Sequence, residues 1–367
     1  MWVIQIIDQS LHTGVEQIYP QQSGVYRQAQ RDHSRSRAPP MRDCAAMSSA
    51  GSGRPFKENH MYQRILLPTD GSEASLHAIR AGAEFARTMG AEVVVMTATP
   101  EFSAFTATNE AIEQSRQEYE AAARARAQRL LDDGAAVVRD AHVTCHAVQA
   151  MADNPYEAII ATAREQKCDL IVMASHGRKG IAGLLLGSET QKVLARSTIP
   201  VMVHRALSRQ EPGAPIGYKR ILVPTDGSAI SAQVLPAAIE FARACQAEIV
   251  ALAVAVPEPI LPSIEGAMVV DPGRQFEALQ EEARTLAAAV AEKAVAAGVR
   301  CTPLVRLAQY PAESIVDTTR EQACDLIFMG SHGRRGIGLL LAGSVTQAVL
   351  AAAPVPVMVL RPRAAAA

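Results

Sequence analysis

Short apolar runs alternate with longer stretches of helical period along most of this chain. RILLP (64–68) and EVVVMTA (92–98) have the pattern of strands, and between them apolar residues recur at helical spacing. DLIVMA (169–174) is almost wholly apolar, as expected for a strand covered on both faces. This alternation predicts a parallel sheet wrapped by crossover helices.

Capping residues set the expected helix boundaries. Ser72 is a good cap for the first helix, and Gly90 is a good terminator. A long amphipathic helix is expected from about Glu110 to Leu131, closed near Gly134. The later elements of this stretch are strands over about 143–149 and 200–204 and helices that begin at Pro155 and Ser188.

The whole pattern occurs twice. RILLPTDGS (64–72) recurs as RILVPTDGS (220–228), and CDLIVMASHG (168–177) recurs as CDLIFMGSHG (324–333), both 156 residues later. Two unrelated segments would not keep one offset over the length of a domain. The chain is therefore expected to hold two copies of one domain.

The expected domain boundaries follow from this duplication. The first repeat covers residues 61–205, the second repeat covers 218–363, and a linker of Pro, Gly and polar residues over 206–217 joins them. Residues 1–60 are rich in Gln, Arg, Ser and Pro and hold little core-forming sequence, so they are expected to be a disordered N-terminal extension. The alternative is that translation begins at a later methionine, directly before the first strand.

The predicted fold class is α/β: two repeats of a five-stranded parallel doubly wound sheet flanked by helices. In such sheets ligands bind beyond the carboxyl ends of the strands, where the strand order reverses. The motif PTDGS follows the first strand and SHG follows the fourth. These strands flank the switch point, so the two motifs are expected to meet.

The last strand of each repeat is apolar and is expected at the edge of its sheet. PVMVH (200–204) and PVPVMVL (354–360) would be liabilities there unless they pair. The two repeats are therefore expected to pair with each other within one chain, with further dimerisation left open. The sequence does not identify a protein partner.

Composition narrows the classes of partner. The formal net charge is −1 at pH 7, which gives no electrostatic reason to expect nucleic acid or a membrane as partner. No apolar run approaches the roughly 18 residues of a membrane span. The cysteines have neither CxxC nor ligand spacing and are expected to be buried reduced thiols, which indicates a reducing compartment. They are Cys44, Cys145, Cys168, Cys245, Cys301 and Cys324.

The glycine-rich loop after the fourth strand has the chemistry of an anion site. In the second repeat Gly343 and Ser344 open a helix whose N–H groups and dipole favour an anion. The hydroxyls of Ser344 and Thr346 are further donors, and Arg334 and Arg335 can neutralise phosphate. Such a loop alone is weak evidence, but its repetition beside PTD makes an anion site the stronger interpretation.

Several other sites are excluded or left open. The chain has neither GxxxxGK[ST] nor a GxGxxG after the first strand, which excludes a Walker-type loop and a Rossmann dinucleotide site. Ser331 and His332 are expected to point opposite ways and lie outside any G-x-S-x-G elbow, so a nucleophile is not predicted. Asp70 and Asp226 could cap a turn, face a ligand, or do both.

The motifs P-T-D-G-S and G-x₂-G-x₉-G-[ST] together resemble the universal stress protein family in its tandem two-domain form. Gly330, Gly333, Gly343 and Ser344 match the ATP-binding pattern of that family, and the resemblance covers nearly all of both repeats. It implies the adenine nucleotide α-hydrolase-like fold, ATP with Mg²⁺, and a cytoplasmic stress-response role.

The same resemblance implies nucleotide-binding positions in both repeats. In the second repeat they are Pro224, Thr225, Asp226, Val254, Met329, Gly330, Gly333, Arg334, Gly343, Ser344, Val345 and Thr346. In the first repeat they are Pro68, Thr69, Asp70, Ala98, Gly177, Arg178, Gly187, Ser188 and Thr190. Ala174 replaces the first glycine and Glu189 stands in place of Val345, so the first repeat is expected to bind ATP more weakly.

These features favour a nucleotide-dependent regulator or sensor over a fast enzyme. Phosphoryl transfer needs a positioned base and metal ligands, whereas the motifs supply only a phosphate cradle, so slow ATP hydrolysis is the most that is expected. Two alternatives remain: an enzyme that cleaves at the α-phosphate or adenylates a substrate, and a structural module that binds no nucleotide.

Overall fold

The structure, a computed structural model, describes residues 61–101, 109–177, 186–205, 217–257, 272–332 and 342–361. The expected N-terminal extension and nearly all of the linker lie outside these ranges. The first repeat contains β1 (Arg64–Pro68), α1 (Glu73–Met89), β2 (Glu92–Thr99), α2 (Asn109–Asp140), β3 (Cys145–Met151), α3 (Pro155–Glu165), β4 (Leu170–Ala174), α4 (Ser188–Arg196) and β5 (Val201–His204).

The second repeat has the same order of elements. It contains β6 (Arg220–Thr225), α5 (Ala229–Cys245), β7 (Glu248–Ala255), α6 (Pro272–Ala296), β8 (Cys301–Leu307), α7 (Pro311–Glu321), β9 (Leu326–Gly330), α8 (Ser344–Ala352) and β10 (Val357–Leu360). The α/β class and the two-fold repetition predicted from the sequence are confirmed.

The capping residues of α1 are those that the sequence indicates. The side chain of Ser72 accepts a hydrogen bond from the N–H of Ser75, which satisfies one of the free N–H groups of the first turn. Gly90 ends the helix in the left-handed region, at φ 66°, where glycine has no steric penalty.

Gly134 does not end the long helix, and that prediction is wrong. Helix α2 continues through it to Asp140. A Cβ on Gly134 would lie 2.9 Å from Cγ1 of Val95 and 3.2 Å from Cδ1 of Ile79, so the glycine lets the helix pack closely against β2. The second repeat carries valine at the equivalent helix position, Val290, and alanine at the strand position, Ala251. The two repeats thus divide a similar volume differently.

All ten described strands form one sheet in the order β3-β2-β1-β4-β5-β10-β9-β6-β7-β8. Strands within each repeat are parallel, and β1 lies next to β4 as β6 lies next to β9. Strands β5 and β10 pair antiparallel, with Met202 opposite Met358. The expected pairing of the two repeats through their last strands is therefore present.

An aromatic cluster joins the two repeats beside the antiparallel β5–β10 pair, which is called the seam below. The rings of Phe85 and Phe241 stack at 5.7 Å between centroids. Tyr62 packs on Phe241 at 6.2 Å, and Tyr218 packs on Phe85 at 5.6 Å, so each tyrosine contacts the phenylalanine of the opposite repeat. Two buried clusters each contain residues of both repeats.

Candidate functional site

The two repeated loops meet at the carboxyl edge of the sheet because β1 and β4 are neighbours. Ile65 is opposite Leu170 in this pairing. Beyond the strands, a Cβ on Gly177 would lie 2.6 Å from Oδ2 of Asp70, closer than non-bonded atoms approach. In the first repeat the PTD and SHG motifs are therefore in contact, as the strand order predicts.

Asp70 and Asp226 cap the turn after the first strand of each repeat. Oδ1 of Asp70 accepts hydrogen bonds from the N–H and the hydroxyl of Ser72, at 3.0 and 2.6 Å. Oδ1 of Asp226 accepts one from the N–H of Ser228 at 3.0 Å. The capping role is thus observed, and in the first repeat Oδ2 is the oxygen that faces the glycine loop.

The threonine before each aspartate, Thr69 or Thr225, stabilises the same turn through hydrogen bonds of its hydroxyl. Oγ1 of Thr69 accepts from the N–H of Gly71 at 3.1 Å and lies 3.1 Å from Oγ of Ser75. In the second repeat the N–H of Gly227 donates to Thr225 at 3.3 Å. These hydroxyls therefore fix the turn.

Helices α4 and α8 follow the two glycine-rich loops, and the start of each helix is hydrogen-bonded to the end of the strand before its loop. The N–H of Gly187 donates to the carbonyl of Ser175 at 2.8 Å, and the hydroxyl of Thr190 donates to the carbonyl of Ala174 at 3.0 Å. The equivalent bonds join Gly343 to Ser331 at 2.7 Å and Thr346 to Gly330 at 3.0 Å. Both threonine protons are used internally, so these residues position the helices.

No side chain caps the N-terminus of α4 or α8 within the described residues, since Gly187 and Gly343 are the cap residues. The first N–H groups of a helix have no intrahelical partner and carry the positive end of the dipole. Ser188 and Ser344 follow directly, each with a hydroxyl. The N–H groups and the serine hydroxyl at each helix N-terminus are therefore suitable donors to an anion.

The Glu189 carboxylate, expected beside that anion, is paired with two other groups. Its Oε2 accepts a hydrogen bond from the N–H of Tyr156 at 2.9 Å, and its Oε1 lies 2.8 Å from Nζ of Lys192. The carboxylate is therefore directed to the N-terminus of α3, where Asn154 makes no side-chain cap. Its charge is paired with Lys192 and with the N–H of Tyr156, which reduces the expected repulsion.

Packing explains why alanine occupies position 174 whereas glycine occupies the equivalent position 330. A Cβ on Gly330 would lie 2.8 Å from Cγ2 of Ile230 and 3.4 Å from Cγ2 of Val234. The first repeat has alanines at these two helix positions, Ala74 and Ala78, which leave room for the methyl group. Glycine at 330 follows from a bulkier α5 and needs no ligand to explain it.

Ser175 and His176 do not point apart, so the geometric reason given against a nucleophile is wrong. Oγ of Ser175 lies 2.8 Å from Nδ1 of His176, and Oγ of Ser331 lies 3.0 Å from Nδ1 of His332. Both serines are nevertheless buried, at 3% and 1% exposure, so a substrate cannot reach the hydroxyl. The pairs support the loops.

The remaining predicted positions divide into three groups. Ala98 and Val254 lie near the carboxyl ends of β2 and β7, and Met329 is buried in β9. Pro68 and Pro224 lie in β1 and β6 directly before the PTD threonines, and Val345 packs on the core. Arg178, Gly333 and Arg334 lie outside the described residues.

Sequence reasoning missed three pairs of residues that are identical in both repeats. Ser75 and Ser231 bond the PTD turns, Asp169 and Asp325 bind the N–H groups before β1 and β6, and Arg205 and Arg361 follow the last strands. In each pair the same residue recurs at the offset of the repeat, and this recurrence was the signal that the sequence offered. Burial raises the pKa of both aspartates, whose backbone hydrogen bonds oppose that shift.

The five described cysteines are free. Burial raises the pKa of Cys168 and of Cys324 to about 12, so both thiols stay protonated and inert. Among the described residues no group of three or more His, Cys, Asp or Glu side chains could hold a metal ion. No described helix combines the length and apolar character needed to cross a bilayer.

Comparison with known proteins identifies what the chain is similar to. The model of the universal stress protein family matches residues 61–205 and 217–361. A universal stress protein of Mycobacterium tuberculosis is 32% identical over 199 residues, which span 53% of this chain but only 62% of that protein. One of Methanocaldococcus jannaschii is 34% identical over 146 residues, 39% of this chain and 82% of its own length.

A solved structure resembles most of the described fold. The crystal structure of a universal stress protein from Archaeoglobus fulgidus covers 82% of this chain and 97% of its own, with 21% identity and a TM-score of 0.56. At that identity the similarity establishes the fold.

Proposed function

Since the chain belongs to the universal stress protein family, we propose that it is a cytoplasmic stress-response protein that binds ATP at the carboxyl edges of β6–β9 and β1–β4. The observation that carries this proposal is the meeting of two motifs in one place. In the first repeat the PTD turn contacts the SHG glycine, and in both repeats a helix whose N-terminus no described side chain caps follows the glycine-rich loop.

The roles follow from position in the second repeat. Pro224, Thr225, Asp226 and Val254 would hold the adenine and ribose, with Gly343 and Ser344 at the phosphates. Arg334, which follows Gly333 within the glycine-rich loop, would supply positive charge. Mg²⁺ would enter with the phosphates, because the described residues hold no carboxylate cluster of their own and Mg²⁺ commonly keeps water and phosphate ligands.

The site supports regulation better than fast chemistry. Ser331 is buried, and Asp226 uses Oδ1 to cap its own turn. Ser331 is too buried to act as a nucleophile, and Asp226 is assigned to the ribose, so we expect hydrolysis to be slow at most. Cleavage at the α-phosphate or adenylation of a substrate is the enzymatic alternative, and a structural module that binds no nucleotide is the other.

Equilibrium dialysis of the nucleotide-stripped full chain against ATP and Mg²⁺ tests the proposal. We expect saturable binding in the wild type and a loss of one site in Gly343→Asp, which places a charge beside the proposed phosphates. Gly217→Asp is the matched control, because a Cβ there meets nothing within 4 Å. Absence of binding in the wild type would leave the structural module, and release of AMP and pyrophosphate would favour the enzyme.

A further inference from the structure

Arg205 and Arg361 each extend from one repeat to a helix of the other. Nη1 of Arg205, directly after β5, donates to the carbonyl of Ala353 at 3.4 Å. Nη1 of Arg361, directly after β10, donates to the carbonyl of Ala195. These carbonyls lie at the C-terminal ends of α8 and α4, where helical carbonyls lack intrahelical partners and the dipole is negative. Each guanidinium thus binds the helix end that favours a cation.

The same arginines are attached to the candidate site of their own repeat. The N–H of Ser175 donates to the carbonyl of His204 at 2.8 Å, one residue before Arg205. In the second repeat the N–H of Ser331 donates to the carbonyl of Leu360 at 2.9 Å, one residue before Arg361. Each serine belongs to the SHG motif, so a backbone hydrogen bond joins that motif to the residue before the arginine.

These hydrogen bonds and the two helices form a closed series that connects both candidate sites. From Ser175 the connection runs through Arg205 to the C-terminus of α8, and the N-terminus of α8 is bonded to Ser331 by the N–H of Gly343. From Ser331 it returns through Arg361 to the C-terminus of α4. The N-terminus of α4 is bonded in turn to Ser175.

We propose that Arg205 and Arg361 are positioning residues that couple the two nucleotide sites, so that ligand at one site raises the affinity of the other. This inference rests on the proposed function. Ligand bound at one SHG motif would further restrain the arginine bonded beside it, and that arginine contacts the C-terminal end of the opposite helix. The second ligand would then bind at a helix that is more restrained than in the free protein, which gives positive cooperativity. Coupling of this kind is typically at least about fivefold in affinity.

Hydrogen exchange of the nucleotide-free full chain tests the crossed contacts without any ligand. Arg205→Gln is expected to speed amide exchange in α8 by about fivefold and to leave α4 unchanged, because one hydrogen bond is lost at the far helix. Arg361→Gln should show the opposite pattern. Arg205→Lys keeps the charge and should restore part of the protection, whereas exposed Arg300→Gln serves as a control that changes neither helix. Faster exchange confined to the mutated repeat would overturn the inference.

Calorimetric titration with ATP and Mg²⁺ then tests the coupling itself. Wild type should bind its second ATP about fivefold or more tightly than independent sites would allow, and Arg205→Gln should bind two ATP molecules without that gain. Two independent sites in the wild type would refute the coupling while leaving the proposed function intact. No ATP binding at all would refute both, whatever the exchange pattern.

Discussion

Glu189 and Tyr156 are joined across two helices: the Glu189 carboxylate in α4 accepts a hydrogen bond at 2.9 Å from the N–H of Tyr156 in α3. The ring of that tyrosine lies under two cations, Lys192 at 5.2 Å and Arg196 at 4.8 Å from the ring centroid. In the second repeat alanine occupies the positions equivalent to Tyr156, Lys192 and Arg196, and Val345 replaces the glutamate. This polar cluster is therefore particular to the first repeat.

Glu189→Val, which copies the second repeat, is expected to lower the free energy of unfolding by about 1 kcal/mol because α3 loses its only described side-chain cap. Urea unfolding measures this loss. Glu281→Val is the control, since Glu281 is exposed and pairs only within α6, and it should change stability by less than about 0.5 kcal/mol. Equal losses in the two variants would contradict the capping role.

Gly330→Ala should destabilise the second repeat by about 1–3 kcal/mol, since the new methyl group would lie 2.8 Å from Cγ2 of Ile230. Adding Ile230→Ala, which copies Ala74 of the first repeat, should recover most of that loss. Thermal unfolding of the two single variants and the double variant gives the interaction energy. Additive losses would mean that the two positions do not share the volume described here.

Acid should destabilise the fold through His204, which is fully buried and has no partner for Nδ1 among the described residues. Burial, with a smaller contribution from His77, lowers the pKa of His204 to about 3, below the ordinary 6.5. Between these values the unfolded chain binds more protons, so the stability is complete above pH 6.5 and decreases as the pH falls. Going from about pH 7 to about pH 5 should cost about 2 kcal/mol through this residue.

His204→Leu, which copies Leu360 of the second repeat, should remove that part of the pH dependence. Urea unfolding of both proteins at the two pH values measures the difference. His142→Leu is the control because that residue lies in the exposed turn after α2. An undiminished acid sensitivity in His204→Leu would place the responsible proton elsewhere.

Much of the fold was predictable because the pattern is repeated. Ser72, Gly90 and Pro155 mark helix ends by their local chemistry, and the structure agrees at each. Gly134 misled because a glycine that ends a helix and one that lets a helix approach a strand look alike in sequence. Only the paired exchange of Gly134 and Val95 for Val290 and Ala251 separates the two uses, and that pairing requires tertiary contacts.

The candidate site was predictable in its position and not in its internal bonding. Strand order brings PTD and SHG together, which follows from topology. The direction of the Glu189 carboxylate and the use of the Thr346 proton depend on rotamers that no sequence pattern fixes. Arg205 lies at the end of a strand and contacts the other repeat, so its partner became visible only once the seam was known.

The first repeat is still expected to bind ATP more weakly, but by less than about tenfold, because Lys192 and the α3 N-terminus already match the Glu189 charge. The most direct measurement is calorimetric stoichiometry with ATP and Mg²⁺ on the nucleotide-stripped full chain and on Gly187→Asp and Gly343→Asp. Two sites in the wild type, the weaker lost in Gly187→Asp and the tighter in Gly343→Asp, are predicted. A wild type without saturable ATP binding, or binding that survives both substitutions together, would contradict the account.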